Sequence, residues 1–266
     1  MSIQSLRTAA SGMDALTFKL DVIANNLANA STTAFKSSRT NFEDLFYQQY
    51  KLPGMLDTQG QLTTMGQAVG IGVRVQSTEL NTTQGNLQDT GGQLDLAITG
   101  NGFFQINDGQ QFLYTRAGNF SINANGQIVI GSQDRGRPID PAILIPQDAT
   151  QVSISSVGIV NVLQPGQTTL NQIGQIQLAF FINPQGLIQY GENMYQASSA
   201  SGIAQLSIPG QNGLGTLRQN FLEASNVEPV QELVDLITTQ RNYELDSQSL
   251  QVADQTLQLL SNLRRF

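Results

Sequence analysis

At 266 residues the chain is long enough for one large or two modest domains. It contains neither Cys nor His, which excludes disulfides, thiol redox chemistry, Cys/His metal centres, Ser-His triads and histidine acid/base work. It is 39% hydrophobic and 7% aromatic with 25 Gly and no Trp, a composition that favours thin β structure over one thick interior, and with a net charge of −7 and no Lys or Arg between Pro138 and Leu217 nucleic acid is not an expected partner.

From the start, Ile3, Leu6, Ala10, Met13, Thr17, Leu20, Ala24 and Leu27 recur at spacings of three and four. This is the a/d pattern of a coiled-coil seam, widened by Leu16 and Ile23, and it predicts a helix from about Ser2 to Asn29. The polar, β-branched cluster Asn29-Ala30-Ser31-Thr32-Thr33 ends it. Asn25, Asn26 and Asn29 read as amides that bond to backbone near the helix end, or as groups that satisfy polar atoms on a neighbouring chain. Between Ala34 and Asn81 short apolar pieces (Phe35, Phe42, Leu45, Phe46, Tyr47) are followed by Pro53-Gly54, Gly60 and Gly66. The alternation in Val69 to Val75 predicts one extended strand. This is a spacer rather than a domain.

Short strands between Gly/Asn turns are predicted over Leu94–Ile98, Gly102–Ile106, Phe112–Thr115, Asn119–Ile122, Ile128–Ile130, Val152–Ile154, Ile159–Leu163 and Ile176–Ile182. Asn101-Gly102, Asp108-Gly109 and Asn125-Gly126 read as hairpin turns, because these residue types tolerate positive φ. Ser225-Asn226-Val227-Glu228-Pro229 carries helix-start chemistry, with Asn226 preferred as the cap over a Ser225/Glu228 box. In the helix that follows, Leu236, Tyr243, Leu250 and Leu257 recur every seven residues, joined by Ala253 and Leu260. A second row, Leu245, Val252 and Leu259, lies about 200° around the same helix. A helix apolar on two opposite faces needs at least two neighbours, and periodicity does not separate an intrachain hairpin from pairing between chains.

The sequence therefore predicts an α+β fold. Residues 1–30 form an N-terminal helix, 31–93 an extended spacer, 94–220 a central all-β domain and 221–266 a C-terminal helix, with the two helices pairing in a coiled-coil-like bundle. No catalytic, cofactor or metal residues are expected. Gly70-Ile71-Gly72 and Gly100-Asn101-Gly102 lack the strand-to-helix setting and the Gly-Lys-Ser/Thr of nucleotide loops, and Asp95, Asp108, Asp134, Asp140 and Glu192 read as solvated turn acids rather than a glycoside-hydrolase pair. Arg7 is followed by periodic rather than continuous apolar residues, so no cleaved signal peptide is expected, and no run is long enough to span a membrane as a helix.

Four separated motifs resemble the bacterial flagellar rod and hook proteins. They are Leu20-Asp21-Val22-Ile23-Ala24-Asn25-Asn26-Leu27-Ala28-Asn29 with Ser31-Thr32-Thr33-Ala34-Phe35-Lys36; Leu96-Ala97-Ile98-Thr99-Gly100-Asn101-Gly102-Phe103-Phe104; Tyr114-Thr115-Arg116-Ala117-Gly118-Asn119-Phe120; and Ser225-Asn226-Val227 with Gln240-Arg241-Asn242-Tyr243-Glu244. Phe42 to Gln48, Pro53-Gly54 and Gly70 to Val73 resemble the distal-rod branch most closely, while Ala34 stands where a glycine is common in the family. The resemblance implies a non-enzymatic subunit of a hollow helical drive shaft that transmits torque from motor to hook. Its helices would surround a channel, with the spacer outside them and the β domain as the outer layer. The implied partners are further copies of the chain, proximal rod proteins, the hook protein, the P-ring and L-ring proteins and the flagellar type III export apparatus. The implied location is the basal body, crossing the periplasm to the outer membrane. The candidate subunit-interface residues are Leu6, Met13, Leu20, Leu27, Asn25, Asn26, Asn29, Tyr47, Tyr50, Leu236, Tyr243, Leu250, Leu257 and Leu260. The alternatives are a hook-like or proximal-rod paralogue, and a secreted β-rich glycan-active protein.

Overall fold

A computed structural model describes residues 3–55, 62, 64–131, 136–167 and 169–263. Gly60, Asp134 and the side chains of Ile3 and Leu260 lie outside the described set. The chain divides into two compact units, one of Met1–Ala28, Ser38–Glu79 and Glu228–Phe266, the other of Asn29–Ser37 and Leu80–Val227.

In the first unit α1 (Ile3–Ala28) packs against α2 (Pro229–Leu263). Two contacts set an antiparallel alignment. Asn26, in the last turn of α1, donates through Nδ2 to Glu232 Oε1 in the first turn of α2 at 3.1 Å. Gly12, midway along α1, faces Asp246, whose Oδ2 would stand 3.1 Å from a Cβ at that position. The heptad row of α2 faces inward: Leu236, Leu250 and Leu257 are half-buried, with Thr239 and Ala253 buried between them. On α1 the buried residues are Ala15, Ile23 and Asn26. Ala10, Thr17 and Ala24 of the predicted stripe are exposed, and Leu6, Met13, Leu20 and Leu27 are half-buried. The buried face is thus turned away from the predicted a/d row, because small residues at 12 and 15 allow close approach and Asn26 finds bonding partners on that side.

Between the helices in sequence come β1 (Ser38–Asp44), β2 (Tyr47–Lys51), β3 (Gln67–Gly70) and β4 (Val73–Leu80). β1 pairs with β4, and β2 pairs antiparallel with β3. The single strand predicted over Val69 to Val75 is broken at Ile71-Gly72. Gly72 has φ 137°, and a Cβ there would come within 2.1 Å of Ser11 Oγ, so the position demands glycine both for its backbone and for its contact with α1.

The second unit contains β5 (Leu87–Asp89), β6 (Leu96–Thr99), β7 (Phe103–Asn107), β8 (Phe112–Thr115), β9 (Phe120–Ile122), β10 (Ile128–Gly131), β11 (Gly136–Pro138), β12 (Gln151–Ile154), β13 (Ile159–Leu163), β14 (Asn171–Gln175), β15 (Leu178–Phe180), β16 (Ile188–Gly191), β17 (Met194–Gln196), β18 (Gln205–Ser207), β19 (Thr216–Gln219) and β20 (Phe221–Glu223). A six-stranded sheet runs β16-β17-β8-β7-β15-β18, beside the three-stranded sheets β11-β10-β9 and β12-β13-β14 and the pairs β19-β6 and β20-β5. Strand period decides the core. Phe104, Ile106 and Leu113 enter one cluster with Leu96, Ile98, Ile128 and Leu178, whereas Phe103 and Tyr114, one residue over, enter a second with Phe181, Leu187 and Tyr195. Edge-to-face ring contacts at 4.8–5.9 Å join the aromatics of the second cluster.

Asp108-Gly109 and Asn125-Gly126 are hairpin turns as predicted, joining the paired strands β7/β8 and β9/β10. Asn101-Gly102 is not, because β6 pairs with β19 rather than with β7. Gly102 is needed there for its backbone, at φ 133°, and a Cβ would also stand 3.0 Å from Leu214 Cδ2. Asn226 is not a helix cap. Its Oδ1 accepts from Ser37 N–H at 2.7 Å, and its Nδ2 donates to the carbonyls of Asn81 at 2.9 Å and Thr83 at 3.1 Å.

Candidate assembly surfaces and a buried charge cluster

Two surfaces of the helix-bearing unit are apolar and uncovered; of the candidate interface residues, Tyr47 and Tyr50 lie on the second, whereas Leu236, Leu250 and Leu257 are half-buried on the face of α2 turned towards α1 rather than on the first. The first is the outer face of α2. Val230, Leu233, Val234, Ile237, Leu245, Val252 and Leu259 are all exposed, opposite the row turned towards α1. The predicted second row is therefore uncovered within the chain. A groove of about 380 Å³ runs between its edge and α1, lined by Ser5, Ala9, Leu245, Leu250 and Val252 among others.

The second surface is the β2/β3 hairpin and its approaches. Tyr47 and Tyr50 are more than half exposed, as are Leu52, Met55 and Leu62, and Phe46 and Met65 are 89% and 84% exposed. The hairpin is tied to α1 by polar contacts. Tyr50 Oη donates to Gln4 Oε1 at 3.2 Å, Thr8 Oγ1 donates to the Ile71 carbonyl at 3.2 Å, and Val73 N–H donates to Ser11 Oγ at 3.3 Å. Asp44 beside Tyr47 raises that phenol above its ordinary range.

The asparagines separate by role. Asn26 is buried and satisfied inside the chain: Oδ1 accepts from Ser38 N–H at 3.0 Å, and Nδ2 donates to the Ser38 carbonyl at 2.9 Å as well as to Glu232. Burial raises the Glu232 carboxyl, and the Asn26 hydrogen bond partly offsets this. Asn29 Oδ1 accepts from Thr32 Oγ1 at 3.1 Å, closing the turn after α1. Asn25 is exposed, as is Tyr243 at 38%.

Sequence reasoning missed a charge cluster in the other unit. Lys36 Nζ meets Glu223 Oε1 at 2.6 Å, Arg116 Nε meets Glu223 Oε2 at 2.9 Å, and all three side chains are at most 4% exposed. Gly85 N–H adds a bond to Glu223 Oε1 at 2.9 Å. Lys36 also donates to the Thr83 carbonyl at 2.6 Å, and Arg116 to the carbonyls of Gly102, Ile98 and Gly100. Burial lowers the Lys36 ammonium below its ordinary range, with Glu223 opposing and Arg116 reinforcing the shift. Ala34, two residues earlier, sits in the main core at φ 56°, a left-handed conformation that costs a non-glycine residue about 1 kcal/mol and that its buried methyl offsets. Glu223 is 187 residues from Lys36 and 107 from Arg116, so no local pattern announces the cluster. The available signal was that Lys36, Arg116, Gly100-Asn101-Gly102 and Asn226 all lie in the motifs that carry the family resemblance, and these motifs converge here.

Three family models match the chain in order: "Flagella basal body rod protein" over residues 6–36, "Flagellar hook protein FlgE/F/G D1 domain" over 97–162, and "Flagellar basal body rod FlgEFG protein C-terminal" over 218–263. The chain is 45% identical over 264 residues to the flagellar basal-body rod protein FlgG of Caulobacter vibrioides, covering 98% of this chain and 100% of that protein. It is 44% identical over 263 residues to FlgG of Buchnera aphidicola subsp. Acyrthosiphon pisum, with the same coverage. FlgG of Bacillus subtilis is 36% identical over 266 residues, 99% of this chain and 100% of that protein. Full-length similarity at this level, with the matched regions falling on both helices and the β unit, shows that the chain belongs to the FlgG family of flagellar basal-body rod proteins.

Proposed function

We propose that the chain is a structural subunit of the flagellar distal rod that polymerises into a hollow helical tube through its terminal helices. The observation that carries this reading is the uncovered outer face of α2, where Val230, Leu233, Val234, Ile237, Leu245, Val252 and Leu259 are exposed, interrupted by Arg241, Gln248 and Gln255, opposite a face already packed on α1. Fully burying one such Leu or Val is worth about 1.5–3 kcal/mol, so a row of seven supplies a driving force for association that a solitary chain leaves unused. Coiled-coil-type pairing belongs to the assembled state, where α1 presents Leu6, Met13, Leu20 and Leu27, and α2 presents Leu245, Val252 and Leu259, to neighbours. In the tube, residues 1–30 and 221–266 form the wall around the channel, 31–93 lie outside them and 94–220 form the outer layer. The exposed aromatics of the β2/β3 hairpin pack on an adjacent copy and restrict sliding along the axis. The rod so formed joins proximal rod proteins to the hook, turns within the P and L rings in the periplasm, and receives its subunits through the type III export apparatus.

The test is electron microscopy of the concentrated protein, comparing the unmodified chain with Val252→Asp. An unpaired carboxylate on a buried apolar face costs several kcal/mol, so the unmodified chain forms tubes and the variant remains monomeric with unchanged β structure. Tubes of normal abundance from Val252→Asp would remove this face from the interface.

A further inference from the structure

In the β unit, Lys36 and Arg116 line a cavity of about 230 Å³ together with Phe103, Phe181 and the exposed Asn101 and Ile182, so it opens to the surface. Two cations are buried against one carboxylate, leaving the cluster an excess positive charge. The ammonium has three N–H groups and two acceptors, the guanidinium five N–H groups and four acceptors. Each cation therefore keeps one N–H without an acceptor among the described residues. The geometry points to a receptor for a carboxylate side chain presented by a second copy of this chain, an assignment that rests on the polymer reading above. The aromatic walls suit the methylene stem of an acidic side chain, and the surplus charge and spare donors suit its head. A second copy is the fitting source, because the chain carries 20 Asp and Glu against 13 Lys and Arg and the same unit exposes Asp89 and Asp148. Burial lowers the Lys36 ammonium, and Arg116 adds to that shift against Glu223.

Sodium butyrate probes the chemistry, and butyramide is its uncharged control. Added to monomeric full-length chain at matched ionic strength, butyrate raises the melting temperature saturably, by about 3 °C at ten times its dissociation constant, and butyramide does not. Ile182→Trp, at the exposed rim, abolishes that shift while leaving the starting melting temperature in place. Lys36→Met, which leaves Glu223 paired with Arg116, abolishes it as well. Equal shifts from the two probes, or a full butyrate shift in Ile182→Trp, overturn the pocket. The source is read on assembled tubes by equilibrium dialysis with labelled butyrate: binding per chain falls about tenfold or more when a neighbour's carboxylate fills the site. Tubes that bind butyrate as well as the monomer does overturn the second-copy source. A chain that binds butyrate but never forms tubes overturns the polymer reading and that source with it, while the monomer result still decides the pocket.

Discussion

Replacing Glu223 with Gln keeps the shape of the charge cluster and removes its only anion. Lys36 and Arg116 are then buried without a counter-charge, and breaking a buried pair in this way costs about 3–5 kcal/mol. For a unit of this size that corresponds to a fall of about 6–20 °C in melting temperature. Lys36→Met should cost less. Glu223 retains Arg116 and Gly85 N–H, and the Thr83 carbonyl retains Asn226 Nδ2, so the loss is confined to the two Lys36 hydrogen bonds, about 1–3 kcal/mol. The two variants also differ in pH dependence. The Lys36 ammonium is lowered in the folded state by burial, so the unfolded chain binds the extra proton. The resulting penalty is fully present at pH values below the folded pKa and relaxes as pH rises towards 10.5. Glu223 opposes that shift, so removing it lowers the folded pKa further and the deficit of Glu223→Gln against the unmodified chain narrows as pH rises towards 10.5. Urea titrations of the full-length chain followed by circular dichroism, at several pH values, read all of this. A Glu223→Gln loss below about 1 kcal/mol, or a Lys36→Met loss equal to it, would refute the reasoning that the cluster is short of negative charge.

Leu250→Asp places a carboxylate on the face of α2 turned towards α1, so helical content of the free chain should fall and tube formation should stop; unchanged ellipticity and normal tubes would exclude a packing role for this row. Burial raises the Tyr195 phenol to about 12, with Arg116 opposing and Glu223 adding to the shift. Stability is therefore whole below pH 10 and is lost as pH rises towards 12, by up to about 3 kcal/mol, and Tyr195→Phe should flatten that alkaline limb in melting experiments. Deleting residues 48–64 removes most of the exposed hairpin while sparing the helices, so tubes should still form but bend more. A persistence length in micrographs equal to that of the intact tube would deny the hairpin a locking role.

The helices were legible because their signal is local and long: three-four spacing over 26 residues of α1 and 35 of α2 outweighs single exceptions. The orientation of α1 was not, because Gly12 and Ala15 direct packing by being small, which an apolar count overlooks. Strands rich in aliphatic and aromatic residues, such as β8 (Phe-Leu-Tyr-Thr) and β13 (Ile-Val-Asn-Val-Leu), could be read directly. The Gln- and Asn-rich β14 and the exposed β16 and β18 could not, since sheet pairing rather than side-chain pattern holds them extended. Asn226 shows why local chemistry misleads. Its side chain is of a type that caps helices, but its partners at 37, 81 and 83 are far away in sequence. The pairing of Lys36 with Glu223 spans 187 residues and is fixed only by the fold.

The central claim, that the outer face of α2 is a subunit interface, is tested most directly by side-chain accessibility in the assembled state. The chain has no Cys, so single Val252→Cys and Leu245→Cys variants report on one site each, and thiol labelling by a maleimide can be timed in monomer and in tube. Both sites should label rapidly in the monomer and be protected in the tube. Labelling of both at the monomer rate within intact tubes would contradict that claim.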